Sequence, residues 1–139
     1  MIFVDTGGWI ALLKRDDVLH QVARTHYGQL IARRERLLTT NYVVDETATR
    51  LRYDAGLRAA LAFRDALKEA IAGRQLRLAW IDARSEAEGW ELLAQHDGVE
   101  LSLTDATSAA VARRAKVRQV FGFDRHFRAL GFDIQPSVP

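Results

Sequence analysis

The chain has 139 residues, 48% hydrophobic and 27% charged, with a net charge of +2 and no cysteine. This make-up is that of a folded chain long enough for one domain with its own core, not of a disordered one. It excludes a disulfide framework, a thiol nucleophile and any cysteine-ligated zinc or iron–sulfur site. No apolar run approaches the roughly 20 residues of a membrane helix, and the short apolar N-terminus, broken by Asp5 and lacking a basic n-region, does not read as a secretory signal. The expectation is a single cytoplasmic domain spanning 1–139. Of 20 basic residues, 17 are arginine; the guanidinium fork suits phosphate, although genomic base composition also raises arginine content.

The first element is a short buried strand, Ile2-Phe-Val4, that stops at Asp5. Thr6, Gly7 and Gly8 make a turn, and Trp9 to Leu13 opens a helix. A carboxylate at the C-terminal end of a buried strand stands at the mouth of an open α/β sheet, where such folds place ligands. An Asp before a helix is also what a plain cap requires, so both readings stay open for Asp5 alone. Asp16 and Asp17 mark a break. A second helix follows from Val18 to Arg34, with Val22, Tyr27 and Leu30 as its inner face.

Leu37 to Thr40 reads as a second strand, and Asn41 as the cap of a third helix from Tyr42 to Tyr53. Val44, Ala48 and Leu51 form its apolar stripe, with Asp45 and Glu46 on either side. Leu57 to Ala72 is a further helix, with Ala60, Leu61, Arg64 and Leu67 spaced to divide a packed side from a wet one, and Gly73 ends it. Leu76 to Ile81 is a strand near the sheet edge. Ser85 with Glu88 matches a capping box for a helix reaching His96.

Val99 to Leu103 is a short extended segment, and Thr104 caps an alanine-rich helix from Asp105 to Ala115. Gln119 to Phe121 is a strand, Asp124 to Leu130 a helical turn closed by Gly131, and Phe132 to Ile134 a last strand. Pro136 and Pro139 finish the chain. Strands alternating with helices predict an α/β fold whose mostly parallel sheet is covered on both faces.

Four acids take similar places in this scheme. Asp5 and Asp124 follow strands; Glu46 and Asp105 lie in the first turns of helices. In a parallel sheet these places share one edge. Each acid has a structural explanation of its own, as a cap, a dipole partner or a solvated side chain. Four on one edge would repel one another and call for a cation, and an all-oxygen donor set selects Mg²⁺ or Mn²⁺ rather than zinc.

Other chemistries fail for want of residues. His20, His26, His96 and His126 lack close metal-ligand spacing and read as surface residues. There is no G-x-S-x-G elbow and no phosphate-cradling P-loop. Gly7 stands where a phosphoaspartyl phosphatase would need its second Asp, and the acidic pair of a receiver domain is missing.

With these segments in order, the chain resembles the PIN-domain ribonucleases, and within them the VapC-type toxins of bacterial toxin–antitoxin pairs. The resemblance is carried by Ile2-Phe-Val-Asp-Thr6, Thr40-Asn-Tyr-Val-Val-Asp-Glu-Thr47, Ser102-Leu-Thr-Asp-Ala106 and Phe121-Gly-Phe-Asp-Arg-His-Phe127, with Ala129-Leu-Gly-Phe-Asp-Ile134 as a fifth match. It covers essentially the whole chain. It implies a PIN-like three-layer fold and an acidic site of Asp5, Glu46, Asp105 and Asp124 that binds Mg²⁺, or Mn²⁺, and hydrolyses RNA to a 5′-phosphate and a 3′-hydroxyl.

Asp45 competes with Glu46 on periodicity; the motif's Glu-Thr pair favours Glu46. Thr6 and Thr104 are supporting hydroxyls. Gly122-Phe123 departs from the hydroxyl residue that many relatives have there. The resemblance further implies a VapB-like antitoxin partner and a homodimer, for which Trp9, Leu12, Val22 and Tyr27 compete with the core. Arg113, Arg114, Lys116, Arg118, Arg125 and Arg128 are candidates to hold the RNA backbone, and Gly7 and Gly8 would let a phosphate approach. A non-catalytic PIN interaction module and a metal-dependent DNA nuclease are the two alternatives, and the latter uses the same residues.

Overall fold

The computed structural model describes residues 1–138, and all that follows concerns those residues. They form β1 (Ile2–Val4), α1 (Thr6–Leu13), α2 (His20–Ala32), β2 (Leu37–Thr40), α3 (Asn41–Ala55), α4 (Leu57–Ala72) and β3 (Leu76–Ala79). Then come α5 (Ala83–Gln95), α6 (Leu103–Arg114), β4 (Gln119–Phe121), α7 (His126–Ala129) and β5 (Asp133–Gln135). The strands make one sheet in the order β3-β2-β1-β4-β5, and every pairing is parallel.

β1 is central and buried along its length, as its unbroken apolar sequence requires. From β1 the chain builds outward to β2 and β3, then crosses back to β4 and β5 on the other side. The strand order therefore reverses beside β1, which makes the end of β1 the topological switch point. Right-handed crossovers assign α1 to α4 to one face of the sheet and α5 to α7 to the other. The packing agrees: α1 lies on α2 and α3, α3 on α4, and α5 on α6.

The core joins Phe3, Leu37, Leu38, Val120 and Phe121 of the strands to Trp9, Leu51 and Phe63 of the helices. The rings of Trp9 and Phe63 sit 5.6 Å apart. In α6, Ala106, Ala109, Ala110 and Ala112 are buried, and small residues on both sides bring α5 and α6 close together. A Cβ at Gly89 of α5 would stand 2.6 Å from Cγ2 of Thr107. β3 is an edge strand, as the alternation in Leu76 to Ile81 predicts, but it ends at Ala79.

Several local expectations are corrected. The inner face of α2 is Ala23, Tyr27 and Leu30, while Val22 is exposed. Trp9 is in the core, and Leu12 and Tyr27 pack partly against it. In α4 the fully packed residues are Phe63 and Leu67, and Leu61 is exposed. The buried stripe of α3 is Val43, Thr47 and Leu51, one residue earlier than expected in its first two members.

Caps shift in the same way. Thr40, not Asn41, caps α3 by accepting from the Val43 N–H, and the Asn41 side chain instead accepts from the Ile81 N–H at 2.7 Å. Asp82 caps α5; Ser85 is buried and Glu88 pairs with Arg84 and Arg114. Residues 99–103 form no strand, because Ser102 already caps α6 there. Gly8 serves packing rather than phosphate access: a Cβ there would lie 2.6 Å from the backbone oxygen of Phe121.

Candidate metal centre

Asp5 is placed by the sheet. Its N–H donates to the carbonyl of Phe121 at 3.0 Å, which ties the end of β1 to β4. It stands where a cap of α1 would, yet its side chain accepts no capping hydrogen bond. The residue is only 4% exposed. Burial, and next the charge of Asp105, push its carboxyl up to about 7; Glu46 and Asp124 add to the rise, and the N–H of Thr6 offsets part of it. A buried carboxylate that makes no capping hydrogen bond deeper into α1 and feels three other acids is not explained by capping.

Glu46 reaches this point from α3. Val43, Thr47 and Leu51 face the core, so Glu46 lies beside the buried stripe, whereas Asp45 points outward and is exposed. Burial and Asp105 raise the Glu46 carboxyl above the usual range, against the opposing effects of the Arg50 charge and the Thr104 hydroxyl that lines the same cleft. Asp105 comes from the first turn of α6, where it completes a capping box. Its Oδ2 accepts the Ser102 N–H at 3.0 Å, and its own N–H donates to Ser102 Oγ at 2.9 Å. The cap fixes the side chain without neutralising it. Burial and Asp124 raise its carboxyl, while Ser102 and His126 act in the other direction.

Asp124 sits just beyond β4, and its Oδ1 accepts the backbone N–H of His126 at 2.9 Å. An oxygen of Asp105, an oxygen of Asp124 and a ring nitrogen of His126 all lie within 4.8 Å of one another. Thr6 Oγ1 is buried beside Asp5 with no hydrogen-bond partner. Gly122 gives Asp5 room: a Cβ there would press on the Asp5 Cβ at 3.2 Å. In this chain a hydroxyl residue at 122 would crowd the acid.

The four acids therefore come to one edge of the sheet and act on one another's charge, and among the described residues the group whose donor atoms lie within 4.8 Å of one another is Asp105, Asp124 and His126, without Asp5 or Glu46. Most of the basic candidates do not join them. α6 begins at the acids and runs back along the sheet, so Arg113 and Arg114 are about 14 Å farther on at 1.5 Å per residue. Arg113 donates to the Leu130 carbonyl at 2.9 Å, and Arg114 is committed to Glu88 and Ser85. Lys116 and Arg118 line a hollow with Arg113 where β4 and β5 begin, at the far edge of the sheet. Arg125 and Arg128 are exposed beyond the last acid, with Arg125 adjoining Asp124.

Two residues near the acids escaped the sequence reading. Arg50, one helical turn after Glu46, lines an open cleft with Tyr42, Asp45, Glu46 and Thr104; the i, i+4 spacing was its signal. His126 is no bystander on the surface, and its signal was the two-residue step from Asp124, which a side chain-to-backbone turn folds back on itself. His26 is not a free surface residue either, since its ring meets Phe121 edge-on at 5.0 Å.

Residues 2–133 match the PIN domain family. The chain is 35% identical, over 138 residues, to the 23S rRNA-specific endonuclease VapC20 of Mycobacterium tuberculosis, an alignment covering 99% of this chain and 100% of the relative. The crystal structure of Mycobacterium tuberculosis VapC20, described as a sarcin–ricin loop cleaving toxin, is similar with a TM-score of 0.82 at 36% identity, covering 96% of this chain and 97% of that one. VapBC2 from Rickettsia felis, bound to a DNA fragment from its promoter, is similar in fold, with a TM-score of 0.70 at 13% identity over 97% of this chain and 98% of that chain. FitAcB from Neisseria gonorrhoeae is likewise similar in fold, at 0.66 and 21% identity over 96% of each chain.

Proposed function

The chain belongs to the PIN-domain family, and from that premise we propose that it is a metal-dependent endoribonuclease, the toxin of a toxin–antitoxin pair. The observation that carries this reading is Asp5: a nearly inaccessible carboxyl raised to about 7 by its burial and by three other acids. A protein gains nothing in stability from such a cluster, and a divalent cation relieves it. Structured ribosomal RNA is the first substrate to test, since the relative with 35% identity is named for 23S rRNA.

The donors fit a hard cation. Asp5, Glu46, Asp105 and Asp124 offer carboxylate oxygens, and the unpartnered Thr6 Oγ1 is a further buried oxygen beside them. Mg²⁺ is the proposed ion, with Mn²⁺ as its substitute. Bound there, it would supply charge neutralisation at the scissile phosphate and a water made acidic enough to attack near neutral pH. Asp5 and Asp105 are the proposed principal ligands; Glu46, steadied by Thr104, and Asp124 complete the set.

The proposed protein is a single-domain homodimer, held inactive by an antitoxin. None of its helices is long and apolar enough to cross a membrane among the described residues, and the cytoplasm is its proposed place of action. The test is cleavage of single-stranded RNA, a ribosomal stem-loop and single-stranded DNA, side by side, with Mg²⁺, with Mn²⁺ and with excess chelator. RNA cleavage that needs the ion and disappears in Asp5→Asn supports the reading. Cleavage in chelator overturns the metal, cleavage of DNA alone overturns the substrate, and no cleavage of any of them by antitoxin-free protein overturns the enzyme.

A further inference from the structure

We propose that His126 is a nitrogen ligand of this metal site, forming a mixed oxygen–nitrogen face with Asp105 and Asp124 that favours Mn²⁺ over Mg²⁺. This rests on the metal-dependent reading above and extends it to a residue type that an all-carboxylate site does not contain.

The local chain sets up the contact. Asp124 Oδ1 accepts the His126 N–H at 2.9 Å, and this two-residue turn swings the imidazole back over the carboxylate. Nδ1 of His126 then lies 3.1 Å from the same Oδ1. That is close enough for a hydrogen bond, yet the ring nitrogen is not aligned for one; it is a buried nitrogen without a hydrogen-bond partner, although the side chain as a whole is 40% exposed.

Two donor atoms side by side at this distance, neither pointing its proton or lone pair at the other, are what neighbouring ligands of one ion look like. Around a six-coordinate ion with ligands at about 2.1 Å, adjacent donors are about 3 Å apart and opposite ones about 4 Å apart. The donor atoms of Asp105, Asp124 and His126 fall within 4.8 Å of each other, so small side-chain movements bring all three onto a common centre. A simple ion pair between His126 and Asp124 predicts neither the misalignment nor the nearness of Asp105 to both.

The chemistry follows from the donor. Mg²⁺ takes oxygen and parts reluctantly with its waters, whereas imidazole suits the transition metals. One nitrogen among the oxygens leaves Mg²⁺ bound and strengthens Mn²⁺.

The decisive measurement is pulsed electron paramagnetic resonance on the full-length protein loaded with Mn²⁺. Echo modulation from a directly coordinated ¹⁴N in the wild type, absent in His126→Gln, is the expected result. Calorimetric titration with each ion provides the second readout: His126→Gln should lose about 10–100-fold in Mn²⁺ affinity and less than about threefold in Mg²⁺ affinity. Bound Mn²⁺ with no nitrogen modulation in the wild type overturns this proposal and leaves the metal-dependent reading standing. Equal losses for both ions also overturn it, since they make His126 a positioning residue for Asp124. A wild type that binds neither ion overturns both. Should His126→Gln fail to fold, the wild-type spectrum alone decides.

Discussion

Asp105 is the carboxylate that bears hardest on Asp5, second only to burial in holding the Asp5 proton. The pairing joins the end of the central strand to the capping box of α6, so the fold itself stores like-charge repulsion at one point. The folded Asp5 titrates near 7, and in the unfolded chain near 3.9. The folded state therefore binds the extra proton, and the stability this provides is complete below about pH 4 and lost as pH rises through about 7. Glu46 and Asp105 shift in the same direction. His26, held below its usual value by burial and Arg33, runs in the opposite direction, so the comparison has to isolate Asp5. In chelator, wild type should lose stability relative to Asp5→Asn between pH 5 and pH 8, by about 2.5 kcal/mol, which corresponds to the two pH units between pH 5 and the folded value near 7. Saturating Mg²⁺ should abolish the difference in slope. Denaturant titration across this range checks it, and parallel profiles in chelator would count against a buried acidic cluster.

Glu46 and Asp45 separate on α3. The buried stripe at Val43, Thr47 and Leu51 turns Glu46 toward Asp105 and leaves Asp45 exposed. Glu46→Gln should reduce RNA cleavage by more than about 100-fold, an upper-range loss for a residue holding a metal site, whereas Asp45→Asn should stay within about twofold. Single-turnover rates at saturating metal decide between them. A reversal of that order would mean that α3 presents its other side to the substrate.

Much of this arrangement was legible in the chain. Strands alternating with helices gave away the parallel sheet, and a parallel sheet collects the ends of its strands and the starts of its helices on one edge. What could not be read were features decided by one residue or by direction. Ser102 and Thr104 have the same capping chemistry, and only the backbone path of residues 99–102 selects Ser102. Val43 and Val44 are equally apolar, so the stripe of α3 was ambiguous by one position, and that position governs Glu46 against Asp45. Arg113 to Arg118 are close to Asp124 in sequence but far in space, since α6 leaves the acidic edge and β4 must travel back to it. His126 needed a turn that brings a side chain back on its neighbour, and its one mark in the sequence was the two-residue step from Asp124.

That geometry alters which cations should hold RNA. Arg50 and Arg125 are beside the acids, while Arg113 and Arg114 are spent on Leu130, Glu88 and Ser85, and Lys116 and Arg118 are at the far edge. With a short single-stranded substrate, Arg50→Gln and Arg125→Gln should each raise KM several-fold and lower the salt dependence of binding by about one phosphate contact. Lys116→Gln with Arg118→Gln should leave both quantities unchanged. An equal loss in the double variant would show that even a short RNA wraps to the opposite edge of the sheet.

Gly7 and Gly8 should behave as opposites. Both lie in the first turn of α1, beside Asp5. A Cβ on Gly7 meets Phe123 at an ordinary 3.7 Å, but on Gly8 it would stand 2.6 Å from the Phe121 carbonyl oxygen and 2.9 Å from the Phe121 ring. The carbonyl cannot yield, because it accepts the Asp5 N–H that joins β1 to β4. Gly8→Ala must therefore push α1 off the sheet, at a cost of about 1–3 kcal/mol, and should lose activity together with stability because Asp5 moves with the strand end. Gly7→Ala should be neutral or stabilising by up to about 1 kcal/mol, since alanine favours a helix interior over glycine. Urea denaturation and cleavage rates measured on both variants give the answer. A stable Gly8→Ala protein with impaired RNA binding would restore the idea that this glycine makes room for a phosphate, and remove its assignment to helix–sheet packing.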